Sequence, residues 1–312
     1  VNIISHDEII YDDLSLQKNK ADIKQDATQN MAFIPFETLK NKPGKSVLSF
    51  SSIKSHKNAA EEDSEKIKQL TIEDDETLSG KNLEQNDKDT IPRGKEFGSF
   101  LHELLENISF ENTGNCKSIS DLLKQSEFIY FFDTLFFIYE NKFEYHSIET
   151  LKEQTASIIW NSLHCILPEI EKPLHSIRKK IHEVEFMYSI DNMTYTHGFI
   201  DLIIQHDKKY YIIDWKSNYL FPDYSKDAVE KNIHSSNYDL QYNIYSATLI
   251  TWLKTIDPNY SFDSHFGGVF YLYVRGIDAE KQDQGIYFYK ASSETEVFDA
   301  LPENVSIKSL IE

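Results

Sequence analysis

Gly198-Phe199-Ile200-Asp201-Leu202-Ile203-Ile204, a polar turn at His206-Asp207-Lys208-Lys209, and Tyr210-Tyr211-Ile212-Ile213-Asp214-Trp215-Lys216 read together as a β-hairpin. Two apolar, β-branched and aromatic runs flank a short polar break, which is the composition of paired strands. The turn centre falls between Asp207 and Lys208, and Asp201 and Asp214 are equidistant from it. Residues equidistant from a hairpin turn sit opposite each other, so the two carboxylates are expected to face each other with Cβ atoms roughly 4.5–5.5 Å apart. Lys216 follows Asp214 by two positions and projects from the same face.

Two carboxylates that close on apolar strands repel each other, and burying either charge without a partner is expensive. A divalent cation resolves the conflict, and carboxylate-and-water coordination suits Mg²⁺ or Mn²⁺ better than zinc. A lysine beside such a site can position a water or stabilise negative charge on an attacked phosphorus. A solvated ion pair on an edge strand is the simpler alternative. The Ile- and Tyr-rich flanks argue against it, because they mark central strands.

Outward from the hairpin, period-two patterns predict strands over Val184–Ile190, Tyr195–Ile204, Lys209–Trp215, Phe266–Arg275 and Gly285–Tyr289. Tyr238–Lys254 reads as a helix. Phe97, Leu101, Leu104, Leu105 and Ile108 recur at helical spacing, with Gly98-Ser99 at the expected start. Residues 119–170 carry long apolar-aromatic helical stretches, ended by Pro168 and Pro173. Their aromatic run over 128–139 is read as core rather than as a base-stacking surface. The alternation of helices and strands predicts a mixed α/β layered domain.

Residues 57–90 break this pattern. Acidic runs (Glu61-Glu62-Asp63 and Glu73-Asp74-Asp75-Glu76) and few aromatics mark a segment that buries too little to offset its ordering entropy. It is expected to be a flexible acidic linker. Residues 1–56 are expected to be the tail of an upstream region, polar apart from Phe33-Ile34-Pro35-Phe36, with VLSFSSI at Val47–Ile53 as a short strand or helix start. The chain has 32 Lys+Arg against 51 Asp+Glu, net −19, much of it in the linker, which disfavours a general polyanion binder. Lys208, Lys209, Lys216 and Lys226 are expected to cluster near the site as a small basic footprint. No apolar run is long enough for a membrane span and no leader peptide is evident, so a cytoplasmic setting is expected. Val1 rather than Met at the start suggests a piece of a longer chain. Cys116 and Cys165 are too few for a disulfide framework or a four-thiolate cluster. Gly44-Lys45-Ser46 imitates the end of a phosphate loop, but Leu39 stands where its first glycine belongs. His182, His197, His206, His234 and His265 lack metal-ligand spacing.

The stretches GFIDLI and YYIIDWKSNYL resemble the core of the PD-(D/E)XK nuclease superfamily, with Ile200-Asp201 in the PD place and Asp214-Trp215-Lys216 as the D-X-K. Four further segments resemble its RecB-like branch in order and spacing: Pro92–Glu106, Tyr238–Tyr245, His265–Gly276 and Gln284–Tyr287. The resemblance implies a restriction-endonuclease-like fold over residues 91–312, a central mixed sheet flanked by helices, with a helical insert at about 111–175. It implies His102, Asp201, Asp214 and the Trp215 backbone carbonyl as metal ligands, and Lys216 as the catalytic lysine. Gln241 and Tyr245 match a Q-x-x-x-Y motif, which a helix puts on one face. Glu183 and Glu185 compete for the acidic position of the first core strand, with Glu185 preferred. The implied activity is Mg²⁺-dependent DNA hydrolysis of the exodeoxyribonuclease V class, with Mn²⁺ or Ca²⁺ able to substitute. The implied partners are single-stranded DNA, RecC-like and RecD-like subunits, and a RecA-like recombinase. The alternatives are a stand-alone nuclease of the superfamily and a catalytically silent recombinase-docking module.

Overall fold

The computed structural model describes residues 46–49, 91–189, 194–281 and 284–301. The 57–90 linker and nearly all of the 1–56 tail, including Phe33–Phe36, lie outside the described residues. The sheet comprises β1 (Ser46–Ser49), β2 (Lys179–Ser189), β3 (Thr194–His206), β4 (Lys209–Lys216), β5 (Phe266–Tyr273) and β6 (Ile286–Tyr289). Its main path runs β2-β3-β4-β5-β6. Only the β4–β5 pair on that path is parallel, and β1 adds parallel to the start of β3. β1 thus joins the sheet from the far side of the acidic segment.

The hairpin register follows from its turn. Asp207 and Lys208 both have positive φ (47° and 68°), as a two-residue turn matched to strand twist requires. The ladder then runs from His206↔Lys209 to Leu202↔Ile213, leaving Asp201 and Asp214 one position beyond its last pair. From Tyr210 to Lys216, β4 is buried throughout, and all of β5 is buried, so these are central strands.

Helices cover both faces. On one side lie α1 (Lys95–Asn107) and the insert helices α2 (Ser126–Tyr139) and α3 (Ile148–His164). On the other lie α4 (Lys226–Ser235) and α5 (Tyr238–Ile256). Phe97, Phe100, Leu101, Leu104 and Leu105 of α1 pack with Ile213, Trp215, Phe270 and Leu272 in one core. Leu240, Ile244 and Ala247 of α5 pack with Ile212, Val269, Tyr271 and Tyr273 in the other. The alternating strand side chains therefore feed two separate cores, as a sheet covered on both faces demands.

Three details depart from the sequence expectation. α1 begins at Lys95 after Gly94 (φ 99°), and Gly98 lies inside its first turn. A Cβ on Gly98 would sit 2.5 Å from Ser217 Oγ, so this glycine permits α1 to approach the end of β4. α4 has no strong apolar pattern. Only Val229 and Ile233 are buried, and its start is set by Ser225 Oγ accepting from Ala228 N. Third, Lys208 and Lys209 stand at the hairpin tip, five or more residues along β4 from Asp214, hence about 17–20 Å away at strand rise. They and Lys226 are absent from the cleft that holds Lys216. Its other lining cation is Lys95.

Candidate active site

The middle of β3, the end of β4, the middle of α1 and the first turns of α5 surround a cleft of 410 Å³. His102, Glu183, Asp201, Asp214, Trp215, Lys216, Gln241 and Tyr245 all line it. Asp201 Oδ2 accepts a hydrogen bond from the Trp215 backbone N–H at 2.7 Å and lies 3.7 Å from His102 Nδ1. Its carboxylate replaces the next rung of the ladder, which clamps it at the mouth of the hairpin. Burial opposes the Asp201 charge, but His102 and the Trp215 N–H outweigh it and hold this carboxyl below the usual range. Burial likewise lowers His102, yet Asp201 wins and raises its imidazole pKa. Trp215 points its indole into the core on the α1 side.

Asp214 differs. It is buried, and burial together with nearby Asp201 raises its carboxyl above the ordinary value against the pull of Lys216. Lys216 Nζ lies 2.6 Å from Asp214 Oδ2, while that oxygen receives no well-directed hydrogen bond. Burial opposes the Lys216 charge, but Asp214 and its neighbours hold the ammonium well above an ordinary lysine.

Helix α5 supplies the other side. Gln241 Oε1 accepts from Lys216 Nζ at 2.9 Å and from Tyr271 OH at 3.1 Å, and Gln241 Nε2 donates to Tyr245 OH at 2.9 Å. The i, i+4 spacing of Gln241 and Tyr245 makes that last contact local. Lys216 Nζ also lies 3.9 Å from the Tyr238 ring centroid and 5.0 Å from that of Tyr271. Both rings stabilise a buried ammonium through their π faces.

Glu183, not Glu185, lines the cleft. Glu183 has φ 47° and lies between the paired positions His182↔Leu202 and Val184↔Ile200, opposite Asp201. Glu185 pairs with Phe199, which is exposed. The left-handed residue interrupts strand alternation, and on β3 Ile200 packs on the α5 side although Leu202 packs on the α1 side. Two residues apart therefore no longer means one face. Burial and the charges of Asp201 and Glu106 push the Glu183 carboxyl up to about 7. Tyr271, Tyr238 and Glu183's precedence escaped the sequence reading. Tyr271 was available from register, since it pairs with Asp214, and Tyr238 lies one helical turn before Gln241.

A profile of the PD-(D/E)XK nuclease superfamily matches the chain over residues 76–306, the span that holds these two carboxylates, the strand lysine and the helix histidine. The chain belongs to that superfamily. Individual relatives carry one name. The chain is 32% identical over 246 residues to "RecBCD enzyme subunit RecB" of Buchnera aphidicola subsp. Schizaphis graminum, covering 73% of this chain and 20% of the relative. It is 31% identical over 221 residues to RecB of Haemophilus influenzae, covering 65% of this chain and 18% of the relative. A 93-residue stretch is 43% identical to RecB of Escherichia coli, covering 29% of this chain and 8% of the relative. The chain thus corresponds to the C-terminal nuclease domain of RecB and spans about a fifth of the length of these curated relatives.

PD-(D/E)XK nucleases generally use divalent metal ions. The donors here fit one in kind: carboxylate oxygens from Asp201 and Asp214 and an imidazole from His102. Among the described residues no three His, Cys, Asp or Glu side chains already form a ready metal cage. Lys216 instead takes up the charge of Asp214. No helix of the described residues is long and apolar enough to cross a membrane.

Proposed function

We propose that the chain hydrolyses phosphodiester bonds of single-stranded DNA with Mg²⁺, as the nuclease part of a RecBCD-like helicase–nuclease of the exodeoxyribonuclease V class. The observation that carries this reading is the convergence of His102, Asp201, Asp214 and Lys216 on one cleft in a PD-(D/E)XK chain. His102, Asp201, Asp214 and the Trp215 carbonyl would hold the ion, and Mn²⁺ or Ca²⁺ suits the same donors. A bound divalent cation polarises a phosphoryl oxygen and lowers the pKa of water.

The chain's own residues supply the rest. Lys216 Nζ, held by Asp214 and Gln241, neutralises negative charge growing on the attacked phosphate or helps to deprotonate the water. Gln241 fixes its direction, and Tyr271 and Tyr245 in turn fix the Gln241 amide. Gln241 is a positioning residue. Gln241→Ala is expected to lower kcat about tenfold with KM for DNA nearly unchanged. An equal fall confined to KM would assign Gln241 to substrate binding instead. Glu183, at the register position opposite Asp201, is the first-strand acid on the cleft, in preference to Glu185.

The relatives' name, "RecBCD enzyme subunit RecB", supports work beside RecC-like and RecD-like subunits; the cytoplasm and double-strand breaks repaired by homologous recombination belong to this proposal through the family resemblance. A RecA-like recombinase belongs to this proposal through the family resemblance. The test is degradation of end-labelled single-stranded DNA by the purified chain. Hydrolysis is expected with Mg²⁺ and none with EDTA. A folded chain that cuts equally well in EDTA, or never cuts with any divalent ion, overturns the reading. His102→Ala is expected to raise the Mg²⁺ concentration for half-maximal rate by about tenfold or more, read from a metal titration.

A further inference from the structure

The loop that follows Lys216 leaves the cleft at Asn218 and then carries two exposed aromatic rings. Asn218 lines the cleft and Tyr219 is the next residue. Tyr219 is 37% exposed and Phe221 is 64% exposed, high for large rings. The Arg93 guanidinium lies 3.8 Å from the Tyr219 ring centroid, and the exposed Lys95 lines the same cleft. We infer that Tyr219 and Phe221, with Arg93, form a stacking platform that receives the bases of a single DNA strand as its backbone enters the cleft. This rests on the nuclease reading proposed above and names where that substrate is held.

The loop is pre-organised, which separates a platform from slack surface chain. Tyr224 OH donates to the Asn218 carbonyl at 3.1 Å and accepts from Leu220 N at 3.4 Å. Asn218 Nδ2 donates to Tyr238 OH at 3.3 Å, tying the loop to α5. Gly285 N donates to the Tyr224 carbonyl at 2.9 Å. The Tyr224 ring rests on Gly276, where a Cβ would come within 2.0 Å of it. A loop backbone held this way loses little entropy when a strand is bound against it.

Charge selects the ligand. On a chain of net −19, this rim presents Arg93 and Lys95 to solvent. The neighbouring acid, Asp223, turns its Oδ1 toward Ser225 N at 2.9 Å, at the start of α4. Exposed aromatic rings on the loop that leaves the cleft, one of them with Arg93 beside it, fit a single strand, whose bases are unpaired and free to stack. A duplex keeps its bases inside the helix and offers these rings nothing to stack on.

The test measures binding in EDTA, where hydrolysis is stopped, using a dye-labelled oligo-dT strand and an abasic strand of the same length. The unaltered chain is expected to bind oligo-dT about tenfold or more tighter than the abasic strand. Tyr219→Ala combined with Phe221→Ala is expected to bring oligo-dT down to the abasic level while leaving abasic binding unchanged. A chain that never distinguishes the strands, or a folded double variant that still does, overturns the platform. Phe221→Trp gives a second readout should the double variant fold poorly. Its added indole emission is expected to be quenched by oligo-dT and not by the abasic strand, and equal emission with both overturns the proposal. Strand discrimination without any metal-dependent hydrolysis would defeat the nuclease reading and leave the platform standing. Hydrolysis without discrimination would do the reverse.

Discussion

A chain carrying Asp214→Asn is expected to lose Mg²⁺-dependent hydrolysis of single-stranded DNA by about 10²–10³-fold or more, at least the scale on which removing one preorganised electrostatic group lowers kcat. Asparagine keeps the shape of the buried side chain beside Lys216 and removes the anionic oxygen. Alanine would confuse the result. Both changes remove the counter-charge of Lys216, but alanine also empties buried volume beside it, a cavity that adds its own cost in stability. Lys216→Ala should separate the two partners. It is expected to lower turnover about 10²–10³-fold, while Mn²⁺ binding, followed by titration calorimetry, stays close to that of the unaltered chain. Asp214→Asn retaining activity within tenfold of the original would remove Asp214 from the reaction. Lys216→Ala abolishing metal binding together with turnover would contradict the division of labour between them.

Phe100→Ala is expected to cost about 3–5 kcal/mol of unfolding free energy, the range for emptying a well-packed aromatic site. Phe100 is fully buried, and its ring centroid lies 5.7 Å from Phe132, 5.6 Å from Phe97 and 6.1 Å from Tyr139. These rings join α1 to α2 of the insert, so the cavity would open at the junction that seats the His102 helix. Urea unfolding of the variant and the original chain measures the difference. A loss under about 1 kcal/mol would mean that the surrounding aromatics collapse into the space. Tyr139 OH donates to Glu103 Oε1 at 2.5 Å, next to His102. The insert therefore braces the helix that carries the imidazole, and a loosened junction should also weaken metal affinity.

The hairpin was legible because its information is local. A two-residue turn sets the register, and the register alone makes Asp201 and Asp214 equidistant from the turn. The helix carrying Gln241 and Tyr245 was legible for the same reason, since an i, i+4 relation needs only helical geometry. Glu183 against Glu185 was not legible. Alternation is a rule for regular strands, and the positive φ at Glu183 breaks it at the very residue in question. The basic footprint was misjudged because sequence nearness to the hairpin was taken for nearness to the site. A strand separates its two ends by about 3.3 Å per residue, so its tip lysines stand far from the carboxylates at its base.

Local periodicity was sufficient for the strands of the hairpin, the identity of its acids and lysine, and the two-faced character of a central sheet. Long-range packing alone settled which partners they meet. Gly98 lets α1 close on Ser217, the Phe100 cluster anchors that helix to the insert, and α5 crosses the opposite face to offer Gln241 to Lys216. The reason is that such contacts join residues tens of positions apart, and their geometry depends on side-chain volumes filling a shared core rather than on any repeat within one segment.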